Sequence, residues 1–295
     1  MNVEFTRLTE GFREWLHIVG YSEDTVKSQP RVIEKYFLFM EANKIKQVEK
    51  INREDTKVWY QTEKQRKSQQ TGELLKNSTL NGIIRTLKLF SKYLEETSQG
   101  ILTIDIPYEA KDTAEREILT REEIKAIYNA TDESILGLRD RAILSIYYGC
   151  GLRSKEGQFL ELSDILLERK LIYVRKGKQY KERYVPFMPN QMTDFKLYLK
   201  ECRPQLINER NENNWFLLNN KGNQTKASFL LEKIKKLTKE AGIKKDIGLH
   251  TLRHSIATHL LQSGMKLESI SQFLGHKNIQ STQRYTHVAN KDEGI

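Results

Sequence analysis

Histidine side chains concentrate towards the C-terminal end of this sequence. Five of its six histidines lie between residues 250 and 287. His250 and His254 are four residues apart on a predicted helix, a spacing that would let both rings face one metal ion. However, the pattern lacks the glutamate of a His-Glu-x-x-His motif and a nearby cysteine, and Arg253 would place a positive charge beside the ion. We therefore expect no metal and no other cofactor.

The same part of the chain is better suited to the chemistry of a phosphate group. His250 and Arg253 are three residues apart and share one helix face, and a guanidinium can clamp two phosphate oxygens. Arg153 follows a glycine turn at a predicted helix start, and Tyr285 lies nine residues after His276. A tyrosine hydroxyl, with a pKa of about 10, needs a base or cationic surroundings to become a nucleophile at neutral pH. These residues supply both, although Tyr285 is one of 13 tyrosines and alone would be interpreted as structural.

A short β-rich segment lies between these helices. Residues 171–174 and 183–187 flank a basic stretch that includes Lys178 and Lys181. The pattern predicts a β-hairpin with a basic tip. A solvated loop and a cation that reaches a phosphate are both open interpretations of such a tip.

Four helices are predicted in the first hundred residues. Apolar residues recur at helical spacing over residues 5–19, 53–67 and 78–96. Ser22 can cap the fourth helix, which follows it and carries apolar residues from Val26 to Phe39. Pro30 argues against one unbroken helix there.

The helical pattern stops between residues 101 and 117, which predicts a linker between two domains. Thr120 and Glu123 then form a capping-box pattern that begins the second domain. Gly264 lies where a glycine is expected at a helix end. The predicted helices of this domain cover residues 120–130, 135–148, 154–160, 191–202, 226–241, 251–263 and 267–274. The predicted fold is therefore mostly α, with a small β-hairpin or sheet in the α-rich second domain.

Positive charge is distributed unevenly along the chain. Of 49 Lys and Arg and 39 Asp and Glu residues, only 17 and 16 lie within residues 1–110, so the rest of the chain carries most of the net charge of +10. This balance favours a polyanionic partner, because neutralised phosphates release counterions. Composition alone also allows a basic solvated surface.

Other features of the sequence bear on the cell compartment. With only Cys150 and Cys202, the chain implies no disulfide framework. Charged residues between positions 4 and 14 interrupt the apolar stretch that a signal peptide needs, and residues 142–152 are too short and polar to span a bilayer. We expect a cytoplasmic, nucleoid-associated protein with no membrane partner.

Five motifs resemble, in order, those of the tyrosine recombinase (phage integrase) family, and most closely its compact bacterial Xer-type members. They are Gly151-Leu-Arg153-x-x-Glu156, Gly177-Lys178-x-x-Lys-Glu-Arg-x-Val-Pro, His250-x-Leu-Arg253-His, Leu274-Gly-His276 and Tyr285-Thr-His-Val. Each motif alone is weak, but their shared order makes chance a poor explanation. The four N-terminal helices are similar to the family's SAM-like core-binding domain. We therefore assign residues 1–102 to that DNA-binding domain, 103–118 to the linker and 119–295 to the catalytic domain.

The resemblance implies a role for each catalytic residue. Tyr285 would attack the scissile phosphate to form a 3′-phosphotyrosyl intermediate, and Arg153 and Arg253 would hold the non-bridging oxygens. Lys178 matches the general acid that protonates the departing 5′-oxygen, with Lys181 as its rival.

The other polar residues of the motifs have assisting roles. The resemblance implies that His250 assists deprotonation of the tyrosine and that His276 donates a further hydrogen bond to the phosphate. Glu156 matches a supporting acidic position that orients its neighbours, whereas His254 and His259 are expected to be packing or surface groups.

The activity that the resemblance implies is site-specific DNA recombination, as integration, excision, inversion or resolution. The expected partner is double-stranded DNA with inverted-repeat half-sites, bound by a tetramer on two DNA sites. A partner recombinase or a DNA-bending factor is a further candidate. Two alternatives stay open: a type IB topoisomerase-like relaxing enzyme, and a DNA-binding regulator with a decayed active site.

The sequence departs from the family's pattern at two places. Gly157 stands where the family commonly has leucine, and glycine weakens a helix by roughly 1 kcal/mol relative to alanine. Ten residues follow Tyr285, whereas relatives often carry a longer tail that docks on a neighbouring protomer. The second departure weakens the expectation of such docking.

Overall fold

The computed structural model describes residues 1–69, 71–110, 112, 117–175, 182–207 and 213–275. The chain divides into two compact units, Met1–Ala114 and Glu115–Ile295. This boundary lies inside the segment that the sequence predicted as a linker. Within the described ranges, no helix combines the length and the apolar character needed to cross a membrane.

The first unit contains the four predicted helices. They are α1 (Val3–Ile18), α2 (Glu23–Ala42), α3 (Arg53–Gln65) and α4 (Asn77–Glu96). Ser22 caps α2 as predicted, because its hydroxyl accepts a hydrogen bond from the backbone N–H of Thr25 at 3.3 Å.

Aromatic rings fill the core of the first unit. Phe5 of α1 stacks on Phe37 of α2 with ring centroids 4.0 Å apart. Phe90 of α4 meets Phe37 and Phe12 edge to face, at 5.5 and 5.2 Å. All four rings are fully buried, so the apolar faces read from the sequence meet in one core.

Pro30, which argued against one unbroken helix, does not interrupt α2. The helix runs unbroken through this residue, which is itself buried. Val26 before Pro30 and Ile33 after it both pack into the same core. Burial of this side of the helix acts against the cost of a proline inside a helix, which is roughly 3 kcal/mol.

Part of the predicted linker packs against the first unit. Leu102 and Ile106 are buried in its core. Glu109 accepts hydrogen bonds from the Tyr60 hydroxyl at 2.9 Å and from the Lys64 ammonium at 2.8 Å. Residues 102, 104 and 106 alternate as in an extended segment with one buried side, a period that a search for helices does not detect.

Helices surround a small sheet in the second unit. The described helices are α5 (Arg121–Asn129), α6 (Ile135–Leu144), α7 (Ser154–Gln158), α8 (Pro189–Leu197), α9 (Arg203–Leu206), α10 (Ala227–Glu240), α11 (Leu249–Gln262) and α12 (Leu267–Leu274). The capping box at Thr120 is confirmed: its hydroxyl accepts from the Glu123 N–H at 3.1 Å, and its own N–H donates to the Glu123 carboxylate at 2.8 Å.

The sheet of the second unit has three antiparallel strands in the order β1 (Ile165–Leu166), β2 (Leu171–Val174) and β3 (Arg183–Pro186). Strands β2 and β3 are the predicted hairpin, with Ile172 opposite Val185 and both buried. The sequence did not predict β1, because two residues are too few to show an alternating pattern. The predicted fold class, mostly α with a small sheet, is confirmed.

Candidate active site

A tight turn leads into the first predicted site residue. α6 is followed by a π-helical turn at Ser145–Gly149, and Gly151 then adopts a left-handed φ of 59°. A Cβ atom on Gly151 would lie 3.0 Å from Leu274 and 3.1 Å from Phe273. Both the backbone angle and this close approach of α12 favour glycine. The turn places Arg153 directly before α7.

The Glu156 carboxylate on α7 lies at the centre of the site. One oxygen accepts from the backbone N–H of Arg153 at 2.8 Å, and the other from its Nη1 at 2.7 Å. Arg183 donates to both oxygens at 2.9 Å, and Nη1 of Arg253 lies 3.7 Å away. Three guanidiniums therefore share one carboxylate, and this surplus of positive charge suits an anionic ligand.

The same three arginines bind the C-terminal end of α12. The carbonyl oxygens of residues 273, 274 and 275 accept hydrogen bonds from Arg183 at 3.1 Å, Arg253 at 2.6 Å and Arg153 at 2.8 Å, in that order. The last carbonyls of a helix have no partner within the helix and form the negative end of its dipole. The guanidiniums donate hydrogen bonds to these unpaired carbonyls, and their positive charge stabilises the negative end of the dipole.

Arg253 is held at two points. Besides its bond to α12, it donates to the carbonyl of Gly151 at 2.6 Å. Its side chain is 5% exposed, against 17% for Arg153. Arg253 is therefore fixed by the turn before Arg153 and by α12, whereas Arg153 lies closer to solvent.

α11 positions His250 as the sequence predicted, three residues before Arg253. His250 is exposed in the first turn of this helix, and His254 follows one turn later, half-buried. Burial, followed by the charge of Arg121, lowers the pKa of the buried His259. The His259 ring exchanges a hydrogen bond with the Tyr148 hydroxyl at 2.9 Å. These contacts fit the packing role expected for His259.

The charge state of Glu156 follows from its surroundings. Burial acts to raise the pKa of this carboxyl, but the hydrogen bonds and charges of Arg183, and then those of Arg153, outweigh it and lower the pKa to about 2. Glu156 is thus a carboxylate at neutral pH, suited to hold arginines rather than to transfer protons.

Gly157, the departure from the family's pattern, has a local explanation. A Cβ atom at this position would lie 2.6 Å from the hydroxyl oxygen of Tyr147. That hydroxyl donates to the carbonyl of Ser154 at 3.1 Å, across the first turn of α7. The Tyr147 ring therefore occupies the space that a larger side chain would need.

Three of the six predicted catalytic residues lie outside the described residues. They are Lys178, His276 and Tyr285, and the rival Lys181 is outside them too. The structure brings together Arg153 and Arg253, with His250 one helical turn from Arg253. In the part of the chain that the structure describes, no group of three or more His, Cys, Asp or Glu side chains could hold a metal ion.

Arg183 is a member of the site that was not predicted from the sequence. Its signal was present, because Arg183 belongs to the Lys-Glu-Arg-x-Val-Pro motif that carried part of the resemblance. Its place at the start of a hairpin strand did not distinguish it from the other basic residues of that hairpin.

Known proteins are similar to this chain over most of its length. A sequence model of the phage integrase family matches residues 117–292. Tyrosine recombinase XerC 2 of Ralstonia nicotianae is 32% identical over 289 residues, which cover 96% of this chain and 82% of that protein. Tyrosine recombinase XerD of Listeria innocua is 36% identical over 210 residues, or 70% of each chain.

Solved structures share the fold. The crystal structure of XerA recombinase aligns over 98% of this chain and 97% of its own, with a TM-score of 0.55 and 26% identity. The Tn1549 transposon integrase in complex with transposon right end DNA aligns over 97% of this chain and 98% of its own, with a TM-score of 0.73 and 17% identity.

Proposed function

Because this chain belongs to the phage integrase family and is a site-specific DNA recombinase of the Xer type, we propose that Tyr285 is the nucleophile that attacks the scissile phosphate of DNA. The attack joins the tyrosine oxygen to phosphorus, breaks the bond to the 5′-oxygen and leaves a 3′-phosphotyrosyl intermediate. The reverse reaction, with a 5′-hydroxyl from another strand, rejoins the DNA. The phosphotyrosyl bond keeps the energy of the phosphodiester, so neither step requires ATP.

The observation that carries this proposal is the convergence of three guanidiniums on Glu156 and the end of α12. We assign Arg153 and Arg253 to the non-bridging phosphate oxygens, where they would stabilise the charge of the pentacoordinate transition state. Arg253 is already fixed by two carbonyls, so little reorganisation is needed when phosphate binds. Cationic side chains would thereby replace the divalent metals that many phosphoryl-transfer enzymes use.

The remaining roles complete the proposed reaction. We assign Lys178 to protonation of the departing 5′-oxygen and His250 to deprotonation of Tyr285. His276 would donate a hydrogen bond to the phosphate. Support for His250 is its exposed position three residues from Arg253 on α11, which would bring its ring close to a phosphate held by that arginine.

DNA is the partner of this recombinase, and we propose three further features of the complex. The DNA site would consist of inverted-repeat half-sites, a tetramer would assemble on two such sites, and a partner recombinase or a DNA-bending factor would take part. We also propose residues 1–102 as the core-binding domain, residues 103–118 as the linker, residues 119–295 as the catalytic domain, and the cytoplasm, at the nucleoid, as the location.

The test is the formation of a covalent protein–DNA adduct that survives phenol extraction. The wild-type chain should form it on a nicked substrate carrying its own site, and Tyr285→Phe should abolish it without changing site affinity. Tyr184→Phe, which removes a hydroxyl from an exposed tyrosine of β3, is the matched control. An adduct formed by Tyr285→Phe would overturn the nucleophile assignment.

Comparing substrates with and without the specific site separates the alternatives. A decayed DNA-binding regulator would form no adduct on either substrate, whereas a topoisomerase-like enzyme would form one on both. Excess EDTA and the absence of ATP should leave the wild-type reaction intact. If chelation stops cleavage while DNA binding persists, the metal-free mechanism is wrong.

A further inference from the structure

Arg183 holds a position in the site that the proposed reaction does not use. It begins β3, which packs against α12. Its side chain is 9% exposed, although it belongs to a strand at the edge of the sheet. A buried guanidinium needs compensating partners, and these partners indicate what Arg183 does.

Every nitrogen of the Arg183 guanidinium donates a hydrogen bond within the protein. Nη1 and Nη2 bind the two oxygens of Glu156, each at 2.9 Å, and Nε binds the carbonyl of Phe273 at 3.1 Å. These contacts use three of its five N–H donors and turn the guanidinium towards Glu156 and α12. Arg183 can therefore act on the rest of the site through these groups.

Glu156 is the link between Arg183 and Arg153. Each oxygen of this carboxylate accepts one hydrogen bond from Arg153 and one from Arg183. Without the second pair, only the two hydrogen bonds from Arg153 itself would fix the carboxylate, so the acceptor of the Arg153 guanidinium would be held less firmly. The bidentate contact of Arg183 adds two donors from a different element of the fold.

We propose that Arg183 is a positioning residue that locks Glu156 and, through it, holds the phosphate-binding guanidinium of Arg153 in its reactive orientation. The inference rests on the proposed function, because Arg153 is assigned there to the scissile phosphate. It adds a third arginine to the site, one that acts through Glu156.

The approach of Gly275 to Arg183 supports a tight fit. Gly275 ends α12 with a left-handed φ of 65°, and a Cβ atom on it would lie 2.8 Å from Nη1 of Arg183. The carbonyl of Gly275 in turn accepts the hydrogen bond from Arg153. Arg183 therefore lies against both acceptors that orient Arg153, the carboxylate of Glu156 and the end of α12.

The first experiment measures the rate of adduct formation on a nicked DNA substrate for the full chain. Arg183→Met should reduce this rate roughly 10- to 100-fold, the effect typical of a lost orienting group, with unchanged site affinity. Arg183→Lys, which keeps the charge but loses the bidentate contact, should recover only part of the rate. An Arg183→Met variant that matches the wild-type rate would overturn the inference.

Arg175 provides the matched control. It follows β2 on the same hairpin and pairs with Glu161 at 2.5 Å and Asp164 at 2.9 Å, but its side chain is 46% exposed. Arg175→Met removes a guanidinium with two carboxylate partners and should leave the rate of adduct formation near that of the wild type. An equal loss in both variants would indicate a general effect of hairpin charge and contradict the inference.

A double-mutant cycle separates positioning from mere stabilisation. If Arg183 acts through Arg153, then adding Arg183→Met to Arg153→Ala should slow the reaction far less than it slows the wild type. Full additivity would overturn the inference. So would recovery of the Arg183→Met rate on a 5′-bridging phosphorothiolate, because that leaving group needs little protonation and its rescue would assign Arg183 to the leaving-group acid.

The two proposals can fail separately. A wild-type chain that forms no adduct on its own site overturns the proposed function. If the wild-type chain forms the adduct and Arg183→Met forms it at the same rate, only the role of Arg183 is overturned.

Discussion

The two units bury different kinds of side chain around their central contacts. In the first unit, Phe5, Phe12, Phe37 and Phe90 pack ring against ring. In the second, Glu156 draws three guanidiniums together at the end of α12. Apolar burial contributes mainly to stability, whereas buried charge is costly unless it is paired and is retained where it serves a purpose. Substitutions among the four phenylalanines should therefore change folding, whereas those among Glu156 and its arginines should change chemistry more than folding.

The largest expected effect on stability is at Phe37. Phe37→Ala removes a fully buried ring that contacts α1 and α4, and the cavity should lower the free energy of unfolding by about 3–5 kcal/mol. Urea unfolding followed by fluorescence, with Trp15 and Trp59 reporting on this unit, measures it. The adjacent Leu38 is 52% exposed, so Leu38→Ala should stay within roughly 0.5 kcal/mol of the wild type.

The largest expected effect on chemistry is at Arg253. Arg253→Met should slow adduct formation about 10²–10³-fold, the usual cost of removing a preorganised donor to a transition state. It also leaves the carbonyls of Gly151 and Leu274 without this donor, at about 1–3 kcal/mol of stability. Parallel measurements of rate and unfolding should show a larger effect on rate than on folding. A variant that cleaves normally but unfolds early would reverse the comparison.

Features that depend on nearby residues were predictable from the sequence. Helix α12 has the predicted bounds, and the caps at Ser22 and Thr120 are where they were expected. These features depend on neighbours within a few residues, so their signal is local. The family motifs are local patterns too, and two of the residues that they singled out, Arg153 and Arg253, lie beside the same carboxylate in the structure.

Contacts between distant residues were not predictable in the same way. The pairing of Arg183 with Glu156 joins positions 27 residues apart, and no period in the sequence encodes it. The π-helical turn at Ser145–Gly149 also went unpredicted, because the apolar residues of α6 continue into it without a break. Leu102 lies in the segment where the helical pattern stops, and Ile106 was assigned to the linker, because the loss of helical periodicity does not distinguish an exposed extended segment from a buried one.

Acid should lower the stability of the second unit by protonating Glu156, the carboxylate shared by the three arginines. Its pKa is lowered to about 2 from a usual value of 4.5, so its ionised form stabilises the fold above pH 4.5, and this contribution is lost as the pH falls towards 2. Glu156→Gln should lower the stability of the second unit at neutral pH and flatten its decline in this window. Chemical denaturation of both chains at a series of pH values tests this. Parallel curves for the two chains would contradict it.

The smallest expected effect compares one helix cap from each unit. Ser22→Ala and Thr120→Ala each remove a hydroxyl that accepts from a first-turn N–H, at 3.3 Å and 3.1 Å. Each should lower the stability of its own unit by about 1 kcal/mol, because capping depends on local backbone geometry and not on the kind of core behind the helix. Neither should change the rate of adduct formation per folded molecule, since neither hydroxyl contacts the arginine cluster. Thermal unfolding of the two variants beside the wild type gives the stability change. The rate of adduct formation is then divided by the fraction of each chain that is folded. If Thr120→Ala slowed the reaction while Ser22→Ala did not, helix α5 would transmit an effect to the site, and the separation of stability from chemistry would not hold within the second unit.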